Sequence, residues 1–236
     1  MSFDRETDRF RTFGRAKGRS LTPHMQAIWD EKFSDLKWDL AAPLPTGDLW
    51  LEIGFGGAEH LLWQAGHHPE IHLIGAEPFM NGVAKAVRGA HDENLQNLSL
   101  HHGDVRELLA ALPDACLSKL FILFPDPWPK TRHHKRRLLR SQFIAELYRV
   151  LKPGSELRFA SDIIHYVDWT LSRLKRFSAE DGGGWDFTHT ENSDWRLRGK
   201  DWPGTRYEAK AGREGRPCHY FKFTKTTKLR IPHATQ

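Results

Sequence analysis

From residue 48 onward, the pattern of hydrophobic positions alternates short apolar runs with longer stretches of helical spacing. The apolar runs are DLWLEI (48–53), IHLIGAE (71–77), LSLHH (98–102), KLFILF (119–124) and ELRFAS (156–161). Apolar residues at consecutive positions are typical of strands that are covered on both faces. Because strands and helices alternate with short connections, the pattern predicts an α/β fold with a mostly parallel sheet and helices on both faces.

The remaining periodic stretches complete the predicted elements. Helices are predicted over 23–40, from about Glu59, from about Phe79, and over 105–112, 141–151 and 163–177. The first of these helices is marked by Thr22 followed by Pro23. Two more strands are predicted, WDFTHT (185–190) and CHYFKFTK (218–225), so the predicted sheet has seven strands.

Two segments fall outside this alternation. Residues 1–22 are polar and rich in arginine, and we expect them to form a basic, flexible arm that is either disordered or ordered by a polyanionic partner. A long polar segment at about 191–217 separates the last two predicted strands and is either a functional insertion or a disordered loop. Residues 23–236 are therefore predicted to form a single domain with one insertion.

Composition narrows the class of protein further. The net charge of +5 favours a polyanionic partner such as a nucleic acid. No apolar run approaches the roughly 20 residues that span a bilayer, and the first residues lack the apolar centre of a secretory signal, so we expect no membrane association. The two cysteines, Cys116 and Cys218, form no C-x-x-C pair, which is typical of a cytoplasmic protein.

The sequence LEIGFGGAEH (51–60) places Gly54 and Gly56 at a predicted turn from strand to helix. Glycines at such a turn allow a tight bend and the close approach of a nucleotide-type ligand. The sixth position of a G-x-G-x-x-G dinucleotide motif would be Glu59, whose carboxylate would sit badly beside a pyrophosphate. The segment fits E-x-G-x-G-x-[GA] better, beginning at Glu52, which is the loop of methyltransferases that bind S-adenosylmethionine (SAM). An NAD site is the alternative.

Acidic residues follow the next two predicted strands. Glu77 ends the second strand, where a carboxylate can accept hydrogen bonds from two ribose hydroxyls. Asp104 follows the third strand, where it can accept from an adenine amino group or cap the helix predicted at 105–112. Together with Glu52 on the first strand, these acids favour a nucleotide-type cofactor.

The fourth predicted strand ends in FPDPWPK (124–130), a turn that contains one acid. Prolines fix the backbone φ angle and lack an amide donor, so Pro125 and Pro127 are expected to hold Asp126 and Trp128 rigidly at the carboxyl edge of the sheet. Enzymes that methylate nitrogen in nucleobases have similar D/N-P-P-aromatic loops, in which the aromatic ring can stack on a base. The alternatives are a turn-capping role for Asp126 and core packing for Trp128.

The segment KTRHHKRR (130–137) directly follows this turn. A run of charge is usually a solvated face, but a basic cluster beside a reacting site favours contacts to RNA phosphates. His133 and His134 have neither the spacing nor the nearby thiols of a metal site, and the histidine pairs at 67–68 and 101–102 are similar. We therefore expect no bound metal.

Together, these motifs resemble those of bacterial tRNA (guanine-N7)-methyltransferases. The resemblance covers about residues 9–225 and rests on LEIGFG, GAEPF, HGDV, FPDPWPK.RHHKRR, ASD and T.YE.K in the family's order. It implies a class I methyltransferase fold, which is Rossmann-like with an antiparallel last strand, and SAM as cofactor. It also implies a tRNA substrate that is methylated at guanine 46 of the variable loop. Two departures are Ala58, where the family usually has glycine, and Thr131, where lysine is common.

The resemblance also implies roles for individual residues. The residues implied at the SAM site are Glu52, Gly54, Gly56, Glu77, Asp104 and Asp126. Those implied to contact the substrate are Lys130, Asp162, Thr205, Arg206, Tyr207 and Glu208. Those implied to face the RNA are Arg132, His133, His134, Lys135, Arg136 and Arg137. The insertion at about 191–217 is accordingly expected to bind RNA.

The implied reaction needs no proton relay, because guanine N7 already carries an in-plane lone pair. We expect the enzyme to position N7 for in-line methyl transfer and to stabilise the positive charge that reaches the guanine. Asp126 is the candidate catalytic residue, and Asp162 can share its role or cap the helix predicted at 163–177. The alternative function is a SAM-dependent methyltransferase that acts on another RNA or on a small molecule.

Overall fold

The sheet has the predicted α/β architecture. The computed structural model of the chain describes residues 18–180, 184–188 and 194–226, which form a seven-stranded sheet in the order β3-β2-β1-β4-β5-β7-β6. The strands are β1 (Leu49–Ile53), β2 (His72–Ala76), β3 (Leu98–His101), β4 (Leu117–Leu123), β5 (Leu151–Ser161), β6 (Gly184–Thr188) and β7 (His219–Thr226). Strands β1 to β5 are parallel, whereas β7 is antiparallel to both of its neighbours. The prediction of a mostly parallel sheet with an antiparallel last strand is confirmed.

Helices surround this sheet, and all the predicted helices are present. The α-helices are α1 (Pro23–Leu36), α2 (Glu59–His67), α3 (Met80–Asp92), α4 (Val105–Ala111), α5 (Ser141–Val150), α6 (Ile164–Glu180) and α7 (Arg206–Arg213). A short 3-10 helix (Thr131–Arg136) lies between β4 and α5. Within the described residues, no helix is both long and apolar enough to cross a membrane.

The first helix begins where the sequence predicts and ends earlier. Thr22 is the N-cap of α1. The chain leaves the helix after Leu36, because Lys37 has an extended backbone and forms a bridge to Leu100 of β3. The next amide, of Trp38, donates to the carbonyl of Leu100 at 2.9 Å, and Trp38 is buried in the core. This backbone pairing overrides the helical periodicity that continues in the sequence.

Strand β1 shows how a short apolar run is covered on both faces. Leu49, Leu51 and Ile53 pack into one hydrophobic cluster, whereas Trp50 packs into another. Successive side chains of a strand point to opposite faces, so the two clusters lie on the two sides of the sheet. Full burial of one such apolar side chain contributes about 1.5–3 kcal/mol. Glu52, a polar residue in this run, must therefore find a buried partner.

The strand order reverses at β1, which lies between β2 and β4. Ile53, the last residue of β1, pairs with Ala76 at the end of β2 and with Ile122 near the end of β4. The loops that follow these three strands consequently leave the same edge of the sheet. In open α/β sheets, ligands bind in the crevice that such a reversal creates at the carboxyl ends of the strands.

The predicted insertion contains a helix that the hydrophobic pattern does not reveal. It includes α7, whose N-cap is Thr205, and the Thr205 Oγ1 accepts a hydrogen bond from the amide of Glu208 at 3.3 Å. Ala211 is the buried residue of this otherwise polar helix, so α7 has no apolar stripe. The T-x-x-E spacing of Thr205 and Glu208 is that of a capping box and is the signal in the sequence that points to a helix start.

Candidate active site

The glycine loop, residues 54–58, leads from β1 into α2 at the carboxyl edge of the sheet. Gly54, Gly56 and Ala58 have positive φ angles of 74°, 55° and 70°. Left-handed backbone is free of strain for glycine but costs another residue roughly 1–2 kcal/mol. Ala58, which departs from the family pattern, thus adopts a backbone conformation that glycine takes without strain, and its side chain is fully buried.

Glu77, directly after β2, fixes the conformation of the glycine loop. It is 7% exposed, and its Oε2 accepts a hydrogen bond from the amide of Gly56 at 2.9 Å. Its Oε1 accepts from the amide of Phe79, also at 2.9 Å. Burial raises the pKa of the Glu77 carboxyl, and these two backbone bonds oppose the increase. Carboxylate oxygens have further lone pairs, so Glu77 can also accept from ribose hydroxyls, the role predicted for it.

A cleft of about 440 Å³ lies beside the glycine loop and the start of α3. Its lining residues are Arg19, Gly56, Phe79, Asn81, Gly82, Lys85, Arg206 and Tyr207. The backbone approach is very close at Gly82, where a Cβ atom would lie 2.2 Å from the carbonyl oxygen of Gly56. A glycine at position 82 therefore allows α3 to approach the loop and keeps the cleft in its present shape.

Gly82→Ala is expected to weaken SAM binding by about 10- to 100-fold. Overpacking of this kind costs about 1–3 kcal/mol, and the clash is relieved only if the backbone of Gly56 moves. Calorimetric titration with SAM measures the effect. Gly89→Ala in the same helix is the matched control, because its Cβ would meet the flexible end of Leu62 instead of backbone. An equal loss of affinity in both variants would contradict the assignment of the cleft.

Glu52 is buried instead of lining the cleft, in contrast to the role predicted for it. It is 2% exposed, and its Oε2 lies 2.8 Å from His60 Nδ1. His60 Nε2 lies 3.1 Å from Gln64 Nε2, which donates to the carbonyl of Asp201 at 2.8 Å. Buried polar groups require such partners. Glu52 therefore fixes α2 on the sheet, and the same network reaches the insertion at Asp201.

Asp104 is the N-cap of α4, which is one of the two roles predicted for it. Its Oδ1 accepts from the amide of Arg106 at 2.9 Å. The guanidinium of Arg106 also bonds both carboxylate oxygens, at 2.8 and 2.6 Å. A contact between Asp104 and an adenine amino group stays a prediction.

The Asp126 loop, residues 124–130, follows β4 directly. Its first amide, of Phe124, donates to the carbonyl of Ala160 in β5 at 2.8 Å. Phe124 and Trp128 have positive φ angles of 50° and 42°. Left-handed backbone at two bulky residues is strained, and such strain persists only where the surrounding contacts determine the conformation.

Asp126 is exposed as a residue, but its carboxyl group is partly surrounded by protein, and this burial raises its pKa. The negative charge of Asp126 also contributes, after burial, to the raised pKa values of Glu77 and Tyr207. The structure therefore brings Asp126 close enough to Glu77 and Tyr207 for their charges to interact. Two residues predicted at the SAM site, Glu77 and Asp126, thus lie at the same edge of the sheet, after β2 and β4.

The basic 3-10 helix, Thr131–Arg136, continues from the Asp126 loop and presents part of its charge to solvent. Lys130, which is its N-cap, and also Arg132 and Lys135 are exposed. Exposed cations beside a cleft can contact phosphate groups without any change in the fold. Their predicted contacts to tRNA therefore remain compatible with the structure.

The other members of this helix pack against aromatic rings. His133 contacts Trp128 edge-on at 5.9 Å between ring centroids, and Arg136 Cζ lies 4.9 Å from the centroid of the same ring. His134 contacts Trp169 of α6 edge-on at 5.3 Å. Trp128 is therefore half-buried against the basic helix instead of being packed in the core.

Arg137 does not face the RNA side as predicted, because it is only 3% exposed. Its Nε donates to the carbonyl of Pro127 at 2.8 Å. The chain turns into the core at this point, and Leu139 is 1% exposed. A run of basic residues does not show where the backbone turns into the core. Arg137 was therefore predicted to face the RNA together with its exposed neighbours.

The start of α7 lies over the glycine loop. Arg206 Nε is 3.1 Å from Glu59 Oε1, and a Cβ atom on Gly57 would lie 1.2 Å from Arg206 Nη2. A Cβ atom on Gly56 would lie 2.9 Å from the hydroxyl oxygen of Tyr207. Arg206 and Tyr207 were predicted to contact the substrate, and in the structure they contact the glycine loop.

A second pocket, of about 730 Å³, adjoins α7 and is rich in arginine. Its lining residues are Arg196, Arg198, Gly204, Thr205, Arg206, Glu208, Ala209, Gly212, Arg216, Cys218 and Tyr220. Arg198 Nη1 donates to both carboxylate oxygens of Glu208, at 3.1 and 2.9 Å. Arg216 pairs with Asp162 Oδ2 through Nε and Nη2, both at 2.8 Å. The two acids predicted to contact the substrate are therefore ion-paired with arginines of the insertion, which the sequence did not indicate.

The described residues contain no group of three His, Cys, Asp or Glu side chains that could hold a metal ion.

Comparisons with known proteins agree with this geometry. The model of the methyltransferase family Methyltransf_4 matches residues 46–220. A tRNA (guanine-N(7)-)-methyltransferase of Rhodospirillum rubrum is 41% identical over 242 residues, which cover 97% of this chain and 93% of the relative. A protein with the same description from Caulobacter vibrioides is 48% identical over 176 residues, which cover 70% of this chain and 75% of the relative.

Solved structures with lower sequence similarity share the fold. A point mutant of the 16S rRNA (adenine(1408)-N(1))-methyltransferase of Catenulisporales acidiphilia has a TM-score of 0.51 at 17% identity, covering 88% of this chain and 92% of that chain. The [4+2]-cyclase SpnF has a TM-score of 0.51 at 14% identity, covering 86% and 81%. At this level of identity the two structures support the architecture alone.

The sheet order, the glycine loop and the acid that follows β2 are those of a class I methyltransferase fold. The family model and the relatives extend over most of the chain and narrow this class further. The protein belongs to the tRNA (guanine-N7)-methyltransferase family.

Proposed function

We propose that the protein methylates N7 of guanine 46 in the variable loop of tRNA, by in-line transfer of the methyl group of SAM. The observation that carries this proposal is the 41% identity to the Rhodospirillum rubrum tRNA (guanine-N(7)-)-methyltransferase over 97% of the chain. The site geometry supports it, because the glycine loop, Glu77 and Asp126 lie at one edge of the sheet and Glu77 and Asp126 interact electrostatically.

The residues of the cleft fit SAM as cofactor. Glu77 offers carboxylate oxygens to ribose hydroxyls while it holds Gly56. A Cβ atom at Gly82 would meet the backbone of Gly56, so the close approach of α3 depends on the glycine. The carboxylate of Glu77 favours a ligand that carries positive charge. When bound, SAM supplies an electrophilic methyl group on a sulfonium centre.

Asp126 is the residue to which we assign the main catalytic role. N7 of guanine carries a lone pair, so no side chain has to remove a proton before the transfer. A carboxylate in a partly desolvated cleft interacts more strongly with developing positive charge than one in water. We propose that Asp126 both holds the guanine edge and stabilises the charge that the base acquires.

The exposed cations beside the Asp126 loop are assigned to the tRNA backbone. Lys130, Arg132 and Lys135 lie next to the loop in the chain and are accessible to solvent. Each phosphate contact that releases a counterion makes binding weaker at higher salt, with a slope of roughly 0.7–0.9 per contact in a double-logarithmic plot. The cytoplasm, where tRNA is modified, is the location that this substrate implies.

The experiment that tests the function uses SAM with a labelled methyl group and two tRNA transcripts, one with guanine 46 and one with adenine at that position. Label is expected in the first transcript alone, and cleavage of the chain at N7-methylguanine by borohydride and aniline should map it to position 46. Equal label in both transcripts would refute the position. Label in neither, together with methylation of another RNA or of a small molecule, would favour the alternative function.

A further inference from the structure

Arg137 is a charged side chain buried directly beneath the Asp126 loop. It is 3% exposed, and its Nε donates to the carbonyl of Pro127 at 2.8 Å. Its Cζ lies 5.2 Å from the ring centroid of Tyr166 and 4.7 Å from that of Trp169. Arginine is almost never buried to this degree unless specific partners compensate for the lost water. The carbonyl and the two aromatic faces are such partners.

The aromatic partners of Arg137 are themselves held in place. Tyr166 is fully buried, and its hydroxyl lies 3.5 Å from the amide of Leu139. Trp169 donates through Nε1 to the carbonyl of Leu139 at 3.0 Å, and its ring carries the guanidinium of Arg173 at 3.1 Å. Both rings belong to α6, so the position of Arg137 is determined by a helix that packs against the sheet.

The carbonyl of Pro127 lies where a single hydrogen bond can fix the conformation of the Asp126 loop. Pro125, Pro127 and Pro129 have no amide hydrogen, so the loop has few backbone donors with which to fix itself. The peptide that carries this carbonyl connects Pro127 to Trp128, whose φ angle is +42°. A donor that fixes this carbonyl therefore fixes the strained end of the loop and, one residue earlier, the direction of Asp126.

We propose that Arg137 is a positioning residue for the methyl transfer, which acts through the Pro127 carbonyl to hold the Asp126 carboxylate toward the guanine. This inference rests on the proposed function of Asp126. It assigns Arg137 to the reaction and not to tRNA binding, because a guanidinium that is 3% exposed cannot reach a phosphate without unfolding its surroundings. The exposed Arg132, five positions earlier in the same segment, keeps the RNA role.

The first test compares Arg137→Gln with Arg132→Ala. Arg137→Gln is expected to lower kcat by about 10- to 100-fold, because a small displacement of a catalytic group costs about this much. Its Kd for tRNA and for SAM should equal those of the wild-type protein. Arg132→Ala should show the opposite pattern, with its main effect on the Kd for tRNA and a smaller effect on kcat. Arg137→Lys, which can still donate to the Pro127 carbonyl, should recover part of kcat.

The second test does not depend on methylation. The carboxyl carbon of Asp126 is followed by carbon-13 NMR as a function of pH, with Asp126→Asn to assign the signal. In the wild-type protein the pKa of this carboxyl should be above its ordinary value, and in Arg137→Gln it should return toward that value as the loop becomes free. If the wild-type protein failed to methylate tRNA, the proposed function would fall, while this titration would still decide whether Arg137 holds the loop.

Three results would overturn the inference. One is a loss of tRNA affinity in Arg137→Gln with kcat unchanged, which would restore the RNA role. Another is a fall in activity that disappears when it is normalised to the fraction of folded protein in a thermal melt. The third is an Asp126 titration that is identical in the wild-type protein and in Arg137→Gln.

Discussion

Asp126→Asn is expected to lower kcat by about 100- to 1,000-fold, the range observed when one preorganised group at a developing charge is removed. The substitution keeps the shape of the side chain and removes its negative charge. The guanine then acquires positive charge beside a neutral amide instead of a partly buried carboxylate. Single-turnover methylation of tRNA measures the rate, and calorimetric titration measures the affinity for SAM. This affinity should remain within about threefold of the wild-type value, because a substitution at an exposed position typically changes a free energy by about 0.5 kcal/mol.

The pH dependence of the wild-type enzyme provides a signature of the same residue. Because burial raises the pKa of Asp126, its carboxylate is protonated at a higher pH than an ordinary aspartate. Activity should therefore fall as the pH decreases through this raised pKa, and the Asn variant should lack that limb of the profile. A lower pH, which decreases activity, has the opposite effect on the contribution of Asp126 to the free energy of unfolding. A raised pKa in the folded state favours the protonated form, so ionisation at neutral pH costs stability and Asp126→Asn should be no less stable than the wild-type protein.

Asp168→Asn is the matched control, because Asp168 is an exposed aspartate on α6. It should leave kcat, the affinity for SAM and the pH profile unchanged. Equal losses of kcat and SAM affinity in Asp126→Asn would move Asp126 into the cofactor site and contradict its catalytic role. An acid limb that persists in the Asn variant would assign the titration to another group, of which Glu77 is the nearest candidate by charge interaction.

The sheet could be predicted from the sequence because each strand is a short apolar run. Strand β1 is buried at all five positions, and a strand that is covered on both faces must be apolar throughout. The glycine loop was equally visible, since Gly54 and Gly56 have the left-handed backbone that glycine adopts without strain. The acid at position 77 was predicted to bind ribose hydroxyls, which stays a prediction, and the structure adds its hydrogen bond with the amide of Gly56. These features are local, so short stretches of sequence suffice to predict them.

The remaining features depend on partners that are distant in the chain. Glu52 begins the glycine motif, so the sequence predicted a contact with the cofactor. Its burial beside His60 follows from the way α2 packs on the sheet. Arg137 and Arg132 belong to one basic run, and only Arg137 is buried, against the Pro127 carbonyl and the aromatic rings of α6. The helix α7 has no apolar stripe, so it depends on its N-cap and on its contacts with the glycine loop. Apart from the T-x-x-E spacing at the N-cap of α7, these pairings have no signature at fixed spacing.

The contacts of α7 connect the two halves of the site. Arg206 pairs with Glu59 at the start of α2, and Tyr207 lies against Gly56. The same short helix supplies Thr205 and Glu208 to the arginine-rich pocket. A tRNA that engages this pocket therefore touches the element that lies over the cofactor loop. Under the proposed function, the insertion would relate RNA binding to cofactor binding through this one helix.

Glu77→Gln is expected to weaken SAM binding by about 10- to 100-fold, because a hydrogen bond to a charged group is worth about 1.5–3 kcal/mol. The amides of Gly56 and Phe79 bond different carboxylate oxygens, and glutamine replaces one of these acceptors with an NH2 donor, so one amide loses its partner in this geometry. The glycine loop then loses a fixed point, and ribose hydroxyls lose a charged acceptor. Calorimetric titration with SAM measures the change, and the Kd for tRNA should stay at the wild-type value because the exposed cations are untouched.

Glu93→Gln, just after α3 on the surface, is the control and should bind SAM like the wild-type protein. The direction of the stability change separates two roles of Glu77. Burial raises the pKa of its carboxyl, so the ionised form costs stability at neutral pH and its removal offsets part of the two lost bonds. A small change in melting temperature with a large loss of SAM affinity would support a direct contact with the cofactor. Wild-type affinity for SAM in Glu77→Gln would show that the acid shapes the loop without binding the ligand, and would remove Glu77 from the cofactor site.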